Sequence, residues 1–474
     1  MMVDVLGNAP LVTVSNLSFH WTIIIDTAVY ELLHNPQRYL KELEITMSNS
    51  LGQADKYPSI DRYKYPICDE QNYIFNVNEA IRSIPLKISF SLVFSVSFSP
   101  EELLCAIEKC IETADIFGAQ FQVNDGRTYM EFLPYQKRDI AVIDFASRDE
   151  YQMYCRIAKA EKINNRDKLY NIFIFSIAGS AYNIHLCFNH IVFDAISGLL
   201  LADRIQLALN NKDEEIVWHP YAAFLEKINH YYDSDKYRRD KEFWDIRFEE
   251  LSRCQYLFPD VIDCNESATK TMIIQTSKAF KKALLSYCSD HTIPPHIAIV
   301  AVVARIISMK TGCKRFYVEI PIGNRSGNDE KNSIGTYEIS PPFIFDFTTT
   351  NDVYDVIKSV KKQSVDYYKH KNYDLNTKIL SEPYEMKYGR YIPQFCFSYF
   401  CENRKPPMSY ATYHYYHSDS DYLPMTLHIA DFLDWQTMTF SYMYWSACFT
   451  DDEIATIHKQ VVAGLTELFS DNSK

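Results

Sequence analysis

Hydrophobic and polar positions alternate in some segments of the chain and recur with a helical period in others. Over residues 86–98 apolar side chains stand at every second position, which is typical of a strand with one buried face. Ser99 followed by Pro100 is a helix start, and this helix is predicted to run to about Ala114. Patterns of both kinds occur along most of the sequence and predict a mixed α/β protein.

The predicted elements fall into an N-terminal appendage and two lobes. Residues 1–61 combine short strand patterns, a helical pattern over 28–47 and a polar stretch, and we interpret them as an appendage or linker. The polar connector at 253–269 separates a first lobe, residues 62–262, from a second lobe, residues 263–474. Strand and helix patterns follow one another in a similar order in both lobes, although the two sequences are not detectably alike.

Periodicity also assigns the elements within each lobe. The first lobe is predicted to contain a hairpin at 117–133, strands at 170–177 and 181–188, and helical stretches at 151–163, 196–209 and 220–251. The second lobe is predicted to contain strands at 271–276, 315–320, 391–399, 425–429 and 437–444, and helices at 278–290, 296–310, 353–370 and 451–469.

Composition and the absence of common motifs argue against several classes of function. The net charge of −13 argues against binding to nucleic acid or to an anionic membrane. The 12 cysteines in 474 residues include no Cys-x-x-Cys pair, so we expect reduced thiols in the cytoplasm and no structural zinc site. No signal-peptide pattern, membrane-spanning apolar run, phosphate-binding glycine loop or Gly-x-Ser-x-Gly elbow is present in this sequence.

The best candidate for chemistry is a histidine at the end of an apolar strand pattern. His190 follows alternating apolar residues and precedes the helical pattern at 196–209, with Asp194 four residues after it. Histidine changes charge most readily near neutral pH, and burial of the ring would favour the neutral form that accepts a proton. The alternative is a core histidine whose ring is hydrogen-bonded by the backbone, and the local pattern does not distinguish the two.

The His-x-x-x-Asp spacing occurs three times, so the spacing alone carries little weight. His370 stands in a lysine-rich polar segment and is interpreted as a solvated helix terminus. His417 stands among small polar residues and is interpreted as part of a mobile loop. Only His190 has an apolar strand pattern before it and an apolar helical pattern after it.

Two interpretations of Asp194 are open. It precedes the predicted helix and could be its N-cap, or it could lie within reach of His190 as the second member of a dyad. A buried carboxylate needs a cation or several hydrogen-bond donors, and the planar fork of arginine fits a carboxylate best. Arg325, in the predicted turn at 320–325, is the best-placed arginine, although it could instead be a surface turn residue.

The segment 188–195 resembles the His-His-x-x-x-Asp-Gly motif of nonribosomal peptide synthetase condensation domains, and more broadly the coenzyme A-dependent acyltransferase superfamily. Asn189 and Ala195 stand where that motif has its first histidine and its glycine. Further segments resemble the family in the right order over residues 62–474; they include Tyr65-Pro66-Ile67, Tyr221-Ala222-Ala223-Phe224, Glu242-Phe243-Trp244, residues 320–325, residues 334–337, Tyr422-Leu423-Pro424-Met425 and Phe449-Thr450.

The resemblance implies a V-shaped pair of chloramphenicol-acetyltransferase-like lobes with a central tunnel. It implies that the motif pair is His190 and Asp194: His190 would accept a proton from an attacking amine, or position that amine, and Asp194 would pair structurally with Arg325. Asn189 and Ala195 leave open a specialised substrate or a loss of catalysis. We expect no metal and no dissociable cofactor, because carrier proteins bring both substrates on phosphopantetheine arms.

Three functions are therefore compared. The first is amide formation between a thioester donor and an amine acceptor, each bound to a carrier protein, with adjacent synthetase domains as further partners and a monomeric isolated domain. The second is a free-standing acyltransferase that uses coenzyme A or carrier thioesters, for which basic residues at a tunnel mouth would be expected. The third is a catalytically silent docking domain, which a blocked tunnel would favour.

Overall fold

The computed structural model describes residues 64–80, 86–160, 169–258, 268–402, 411–415, 423–432 and 436–470. These residues form three β-sheets and the helices packed on them, which confirms the predicted mixed α/β fold class. The predicted appendage at 1–61 and the boundary between residues 262 and 263 lie outside the described residues. Gly52–Lys474 form one compact unit, so both lobes belong to the same unit.

A five-stranded sheet forms the centre of the first lobe. Its strands are β2 (Lys87–Phe94), β5 (Ala141–Phe145), β6 (Tyr170–Ile177), β7 (Asn183–Asn189) and β12 (Ala411–Tyr415), in the order β12-β2-β7-β6-β5. Helices α2 (Pro100–Glu112) and α4 (Ala195–Leu209) cover one face, where the apolar residues of β2 and β7 are buried. The predicted alternation is therefore confirmed over β2, where it points Phe90 and Leu92 into this core, but the strand ends at Phe94 and Val96 is exposed.

Helix α3 (Arg148–Ala160) lies on the opposite, more polar face of the same sheet. The buried ring of His185 on β7 is hydrogen-bonded there by Ser89 at 3.1 Å and by Ser91 at 3.0 Å. Tyr151 of α3 also contacts the His185 ring nitrogen, at 3.0 Å. These bonds satisfy polar groups that burial would otherwise leave unpaired.

A small antiparallel sheet completes the described part of the first lobe. Its strands are β1 (Lys64–Pro66), β3 (Ala119–Asn124) and β4 (Arg127–Phe132), in the order β1-β4-β3. The hairpin of β3 and β4 turns at Asp125-Gly126, where both residues have positive φ, as tight hairpin turns require. Helix α1 (Asp69–Ala80) follows β1 and contacts the segment after β7.

The second lobe is built on a six-stranded sheet. Its strands are β8 (Thr269–Gln275), β9 (Arg315–Glu319), β10 (Pro342–Asp346), β11 (Phe395–Glu402), β13 (Met425–Phe432) and β14 (Thr439–Trp445), in the order β10-β9-β11-β13-β14-β8. Its helices are α7 (Lys278–Asp290), α8 (Pro295–Thr311), α9 (Val353–Lys369), α10 (Leu375–Ile379), α11 (Glu382–Tyr388) and α12 (Asp451–Ser470). Helix α8 is wholly apolar over residues 297–304, and these buried residues lie in the core of this lobe.

The prediction of one helical stretch at 220–251 is wrong in its continuity. Two helices occur here, α5 (Tyr221–Tyr232) and α6 (Asp235–Leu251), and the hydroxyl of Ser234 caps α6 by accepting from the backbone N–H of Tyr237 at 3.2 Å. Helix α5 packs in the core of the first lobe, whereas Trp244 of α6 packs in the core of the second. The break lets one charged stretch of sequence join the two cores.

One strand crosses from the second lobe to the first. β12 pairs antiparallel with β2, with Ala411 opposite Phe94, although β12 lies between β11 and β13 in the chain. Three five-residue strands, β5, β10 and β12, are absent from the predicted strands, whereas β9, of the same length, is predicted at 315–320. The first-lobe sheet is therefore completed by residues from the predicted second lobe.

Among the described residues, no single helix is long and apolar enough to cross a membrane. Helices α7 and α8 reach that length and apolar character only as a pair, and that pair is bent by 108°.

Candidate active site at the His190 loop

The predicted strand-to-helix setting of His190 is present in the structure. Residues His190–Val192 form a single 3₁₀ turn between β7 and α4. The side-chain oxygen of Asn189 caps this turn by accepting from the backbone N–H of Ile191 at 3.0 Å. Gln71 of α1 donates to the carbonyl of Ile191 at 2.9 Å. The turn is thus held by a side chain next to it and by one more than 100 residues earlier in the chain.

The backbone N–H and the carbonyl of His190 both form hydrogen bonds, whereas its ring nitrogen Nδ1 forms none with the described residues. Its N–H donates to the carbonyl of Leu86 at 2.8 Å, and its carbonyl accepts from the hydroxyl of Thr336 in the second lobe. Nδ1 is buried and has no hydrogen-bond partner among the described residues. A backbone bond to Nδ1 therefore does not hold the ring, and this nitrogen is available to another group.

Asp194 is both the N-cap of α4 and the partner of Arg325. One carboxylate oxygen accepts from the backbone N–H of Ser197 at 2.8 Å and from Arg325 Nη2 at 3.0 Å. The other accepts from Arg325 Nη1 at 2.7 Å and from the backbone N–H of Tyr337 at 3.1 Å. The two side chains are only 2% and 4% exposed, so this is a buried bidentate ion pair.

Electrostatics at Asp194 follow from these contacts. Burial alone would raise the pKa of the Asp194 carboxyl, but the Arg325 guanidinium and the bonds from Arg325 and Ser197 hold it below its usual value. Asp194 is therefore a stable anion at neutral pH. Its four donors occupy both oxygens, and none of the four comes from His190.

A second layer of contacts fixes Arg325. Its Nη2 also donates to the Ser197 hydroxyl at 2.8 Å, and its guanidinium carbon lies 4.2 Å from the centroid of the Tyr337 ring. Gly335 exchanges two hydrogen bonds with the Ser197 hydroxyl, at 2.9 and 3.0 Å. A Cβ on Gly335 would overlap the Tyr221 ring, so only glycine fits this close approach.

The family model for the condensation domain matches residues 62–474. The chain belongs to the condensation domain family.

Individual relatives are distant in sequence. A plipastatin synthase protein of Bacillus subtilis (strain 168) is 20% identical over 313 residues, which are 60% of this chain and 12% of that protein. A surfactin synthase protein of the same organism is 18% identical over 311 residues, which are 63% of this chain and 8% of that protein. The matched region is thus a small part of each of these curated relatives, about a tenth of its length.

Solved structures show the same fold. The first condensation domain of the calcium-dependent antibiotic synthetase, in complex with substrate analogue 3a, matches with a TM-score of 0.73 at 13% identity, covering 88% of this chain and 98% of that one. The condensation domain of the monacolin K polyketide synthase matches with a TM-score of 0.71 at 12% identity, covering 86% and 98%. These similarities establish the fold of the condensation domain, not its substrates.

Both departures from the family motif have a structural explanation in this condensation domain. Asn189 is buried, and its oxygen also accepts from Asn78 Nδ2 at 3.2 Å, so it acts as a cap of the His190 turn. Ala195 is the first residue of α4, in a right-handed helical conformation that every L residue adopts. Neither residue strains the backbone of the loop.

Replacing Asn189 by alanine should lower the free energy of unfolding of the condensation domain by about 1–3 kcal/mol, because the buried N–H of Ile191 loses its acceptor. Urea unfolding followed by tryptophan fluorescence measures this change. Asn189→Ser keeps an oxygen that can cap the turn and should lose less. An equal loss in the two variants would mean that the capping bond is not the cause.

A small cavity of about 30 Å³ lies beside the loop, between α1, α5 and the segment that follows Gly335. Its lining includes the carboxyl groups of Glu70 and Glu338 together with Lys371. Burial and the charge of Glu338 raise the pKa of Glu70 well above its usual value. Sequence reasoning missed both carboxylates; an acid inside the apolar segment 334–339 is the signal that could have pointed to Glu338.

The other two His-x-x-x-Asp matches are separate from this site. His370 is at a helix terminus as predicted, the C-cap of α9, but its ring is not simply solvated: it stacks on Phe243 at 4.0 Å, and Nδ1 is bonded to the buried Asp240 at 2.7 Å. Its carbonyl accepts from the Trp244 indole N–H at 3.1 Å, so His370 joins α6 to the end of α9. His417 lies outside the described residues.

Proposed function

We propose that this condensation domain forms an amide bond between a carrier-bound acyl or aminoacyl thioester and a carrier-bound amine. The observation that carries the proposal is the buried, unbonded Nδ1 of His190 on a loop that both lobes hold in place. An imidazole on a fixed backbone, with a nitrogen open to a further group, can transfer a proton to or from a bound substrate. Asp194 and Arg325 would fix the loop, and Asn189 and Ala195 would support it.

The reaction transfers one acyl group and one proton. The amine nitrogen attacks the thioester carbonyl carbon, the C–N bond forms, the C–S bond breaks, and the thiol of the donor arm leaves. The proton lost by the attacking nitrogen is taken by His190 and passed to the leaving sulfur. No dissociable cofactor enters this balance, since phosphopantetheine is part of the carrier proteins.

Positioning would supply most of the rate enhancement. Holding two tethered reactants in the correct geometry can contribute about 7–11 kcal/mol, whereas a positioned acid or base contributes roughly 10²- to 10⁴-fold. We propose donor and acceptor carrier proteins as partners, adjacent synthetase domains as neighbours, a monomeric isolated domain and a cytoplasmic location.

The test uses the chain with a donor carrier loaded as a thioester and an acceptor carrier bearing an amine. We expect intact-protein mass spectrometry to show the acyl group moving from the donor to the acceptor. Reactions without this chain, and reactions with the corresponding coenzyme A thioester in place of the donor carrier, are the controls. Equal rates with coenzyme A would support a free-standing acyltransferase, and no transfer from several donors would support the docking function.

A further inference from the structure

The peptide unit between His190 and Ile191 is held at both of its polar ends. Its carbonyl, that of His190, accepts from the Thr336 hydroxyl, and its N–H, that of Ile191, donates to the side-chain oxygen of Asn189 at 3.0 Å. The preceding peptide unit is fixed as well, since the N–H of His190 donates to the carbonyl of Leu86 at 2.8 Å. Because peptide units are planar, these bonds set the direction in which the side chain of His190 leaves the backbone.

The backbone bonds matter for the ring because Nδ1 does not hold it. Nδ1 of His190 is buried and has no hydrogen-bond partner among the described residues. The carboxylate of Asp194 is occupied by Arg325 and by the N–H groups of Ser197 and Tyr337. The position of the imidazole therefore depends on packing and on the bonds that fix the backbone of the loop.

The segment that carries Thr336 belongs to the second lobe but is anchored in the first. Ile334 and Tyr337 are each only 2% exposed, and both pack in the core of the first lobe. The hydroxyl of Tyr221 on α5 donates to the carbonyl of Thr336 at 2.8 Å. Thr336 is thus fixed on both sides, and its hydroxyl meets the carbonyl of His190 from a set position.

The carbonyl of His190 has a second donor within the turn. The N–H of Phe193 closes the 3₁₀ turn at 3.3 Å, which is beyond the usual range of about 2.7–3.2 Å for such bonds. The hydroxyl of Thr336 is the nearer of the two donors. Loss of this hydroxyl should therefore let the peptide unit tilt and displace His190, while the carbonyl still keeps a donor.

We propose that Thr336 is a positioning residue for His190. Its hydroxyl fixes the peptide unit that follows the histidine and so places the imidazole at the reacting amine, a role that rests on the proposed function. Asn189 holds the other end of the same peptide unit. The second lobe thus acts on the reaction through one hydroxyl bonded to the backbone of His190, and not through a bond to Nδ1.

The first test follows this peptide unit directly and needs no substrate. The chain contains three His-Ile pairs, which begin at residues 190, 296 and 428. The full chain labelled with ¹³C-carbonyl histidine and ¹⁵N-isoleucine should therefore give three carbonyl-to-amide cross-peaks, and Ile191→Val assigns the first by removing it. Thr336→Val keeps the shape of the side chain but loses the hydroxyl, so it should move this peak and leave the other two in place. Thr336→Ser should return the peak toward its wild-type position.

The second test is kinetic. A displacement of about 1 Å at a reacting group can cost on the order of 100-fold in rate. Thr336→Val should therefore lower kcat by about 10- to 100-fold with little change in KM, and Thr336→Ser should restore most of the loss. The urea midpoint should fall less than in Asn189→Ala, because the carbonyl of His190 keeps the N–H of Phe193. A purely structural role would instead lower kcat only in proportion to stability.

Two further comparisons separate positioning from a general loss of structure. Thr456→Val also removes a hydroxyl that donates to a backbone carbonyl, that of Asp452 on α12 at 2.8 Å, and should leave kcat at the wild-type value. The double variant Asn189→Ala/Thr336→Val should lower kcat by less than the product of the two single decreases, because both changes free the same peptide unit.

An unmoved residue-190 peak in Thr336→Val would overturn the assignment, and so would a wild-type kcat in that variant. A loss of kcat that Thr336→Ser does not reverse, or that multiplies in full with the loss in Asn189→Ala, would overturn it as well. If Thr336→Val fails to fold, Thr336→Ala replaces it with the same expectations. A moved peak in a chain that forms no product from any donor would reject the proposed function while supporting the bond between Thr336 and His190.

Discussion

Replacing His190 by alanine is expected to lower the rate of amide formation by roughly 10²- to 10⁴-fold, the usual contribution of a positioned acid or base. The loop should survive the change, because the groups that hold it are the backbone of residue 190 and the side chains of Asn189, Gln71 and Thr336. Acyl transfer between carriers, measured at saturating carrier concentrations, gives the rate, and thermal unfolding gives the stability.

His370 provides a matched control for that experiment. It is also an imidazole four residues before an aspartate, and its ring is bonded to the buried Asp240. His370→Ala should lower stability, because Asp240 loses one of its donors, but it should leave the rate of transfer close to wild type. Equal product from wild type and His190→Ala would remove His190 from the chemistry. A similar loss of rate in both variants would indicate a general effect on folding.

Replacing Arg325 by methionine is expected to lower the free energy of unfolding by about 3–5 kcal/mol, since it leaves a buried carboxylate without its cation. The pair is 4% and 2% exposed, so water cannot replace the lost donors. Urea unfolding at neutral pH measures the change. Activity should fall as well, because Asp194 would no longer fix the start of α4 and the preceding loop.

The direction in which pH changes the stability contributed by this ion pair follows from the pKa of Asp194. In the folded wild type this pKa lies below its usual value, so the stability from the pair is present above the unfolded pKa of about 4 and is lost as the pH falls below it. In Arg325→Met the uncompensated burial raises the same pKa, and protonation relieves the buried charge. The difference in stability between wild type and variant should therefore shrink as the pH is lowered from neutral.

Two further variants show whether the stability lost in Arg325→Met comes from the unpaired charge of Asp194. Adding Asp194→Leu to Arg325→Met removes the unpaired charge and should recover part of the lost stability, though not the cap of α4. Lys212→Met removes an exposed pair with Glu215 and should leave the urea midpoint near that of wild type. A loss in Arg325→Met no greater than in Lys212→Met would contradict the role given to the buried pair.

Local structure is better predicted from the sequence than contacts between distant segments. The helix at 278–290 is present with the predicted bounds, because its period and its serine cap are local signals. Asp194 satisfies both of its interpretations at once, as N-cap and as arginine partner, and only the first follows from local sequence. Its partner Arg325 lies 131 residues away; sequence context indicates it only as the best-placed arginine, and the family resemblance implies the pairing.

Errors arise where polar residues are buried by distant partners. The lysine-rich neighbours of His370 predict a solvated ring. In the structure the ring contacts Asp240 and Phe243, which lie on a helix about 130 residues earlier in the chain. The cavity that Glu70 and Glu338 line is formed by residues of both lobes, which no local pattern reports. Sequence periodicity indicates which face of an element is buried, not which charged group lies opposite.

The strand β12 also has a consequence for synthesis on the ribosome. Phe94, at the end of β2, pairs with Ala411, and Ala411 is synthesised more than 300 residues later. At about 5–20 residues per second, the first-lobe sheet stays incomplete for roughly 15–60 s after β2 is made. During that time β2 is an open, largely apolar edge that could pair with another nascent chain. We therefore expect aggregation during translation, rather than the stability of the finished domain, to limit the yield of the protein, and chaperones that cover exposed strands to raise it.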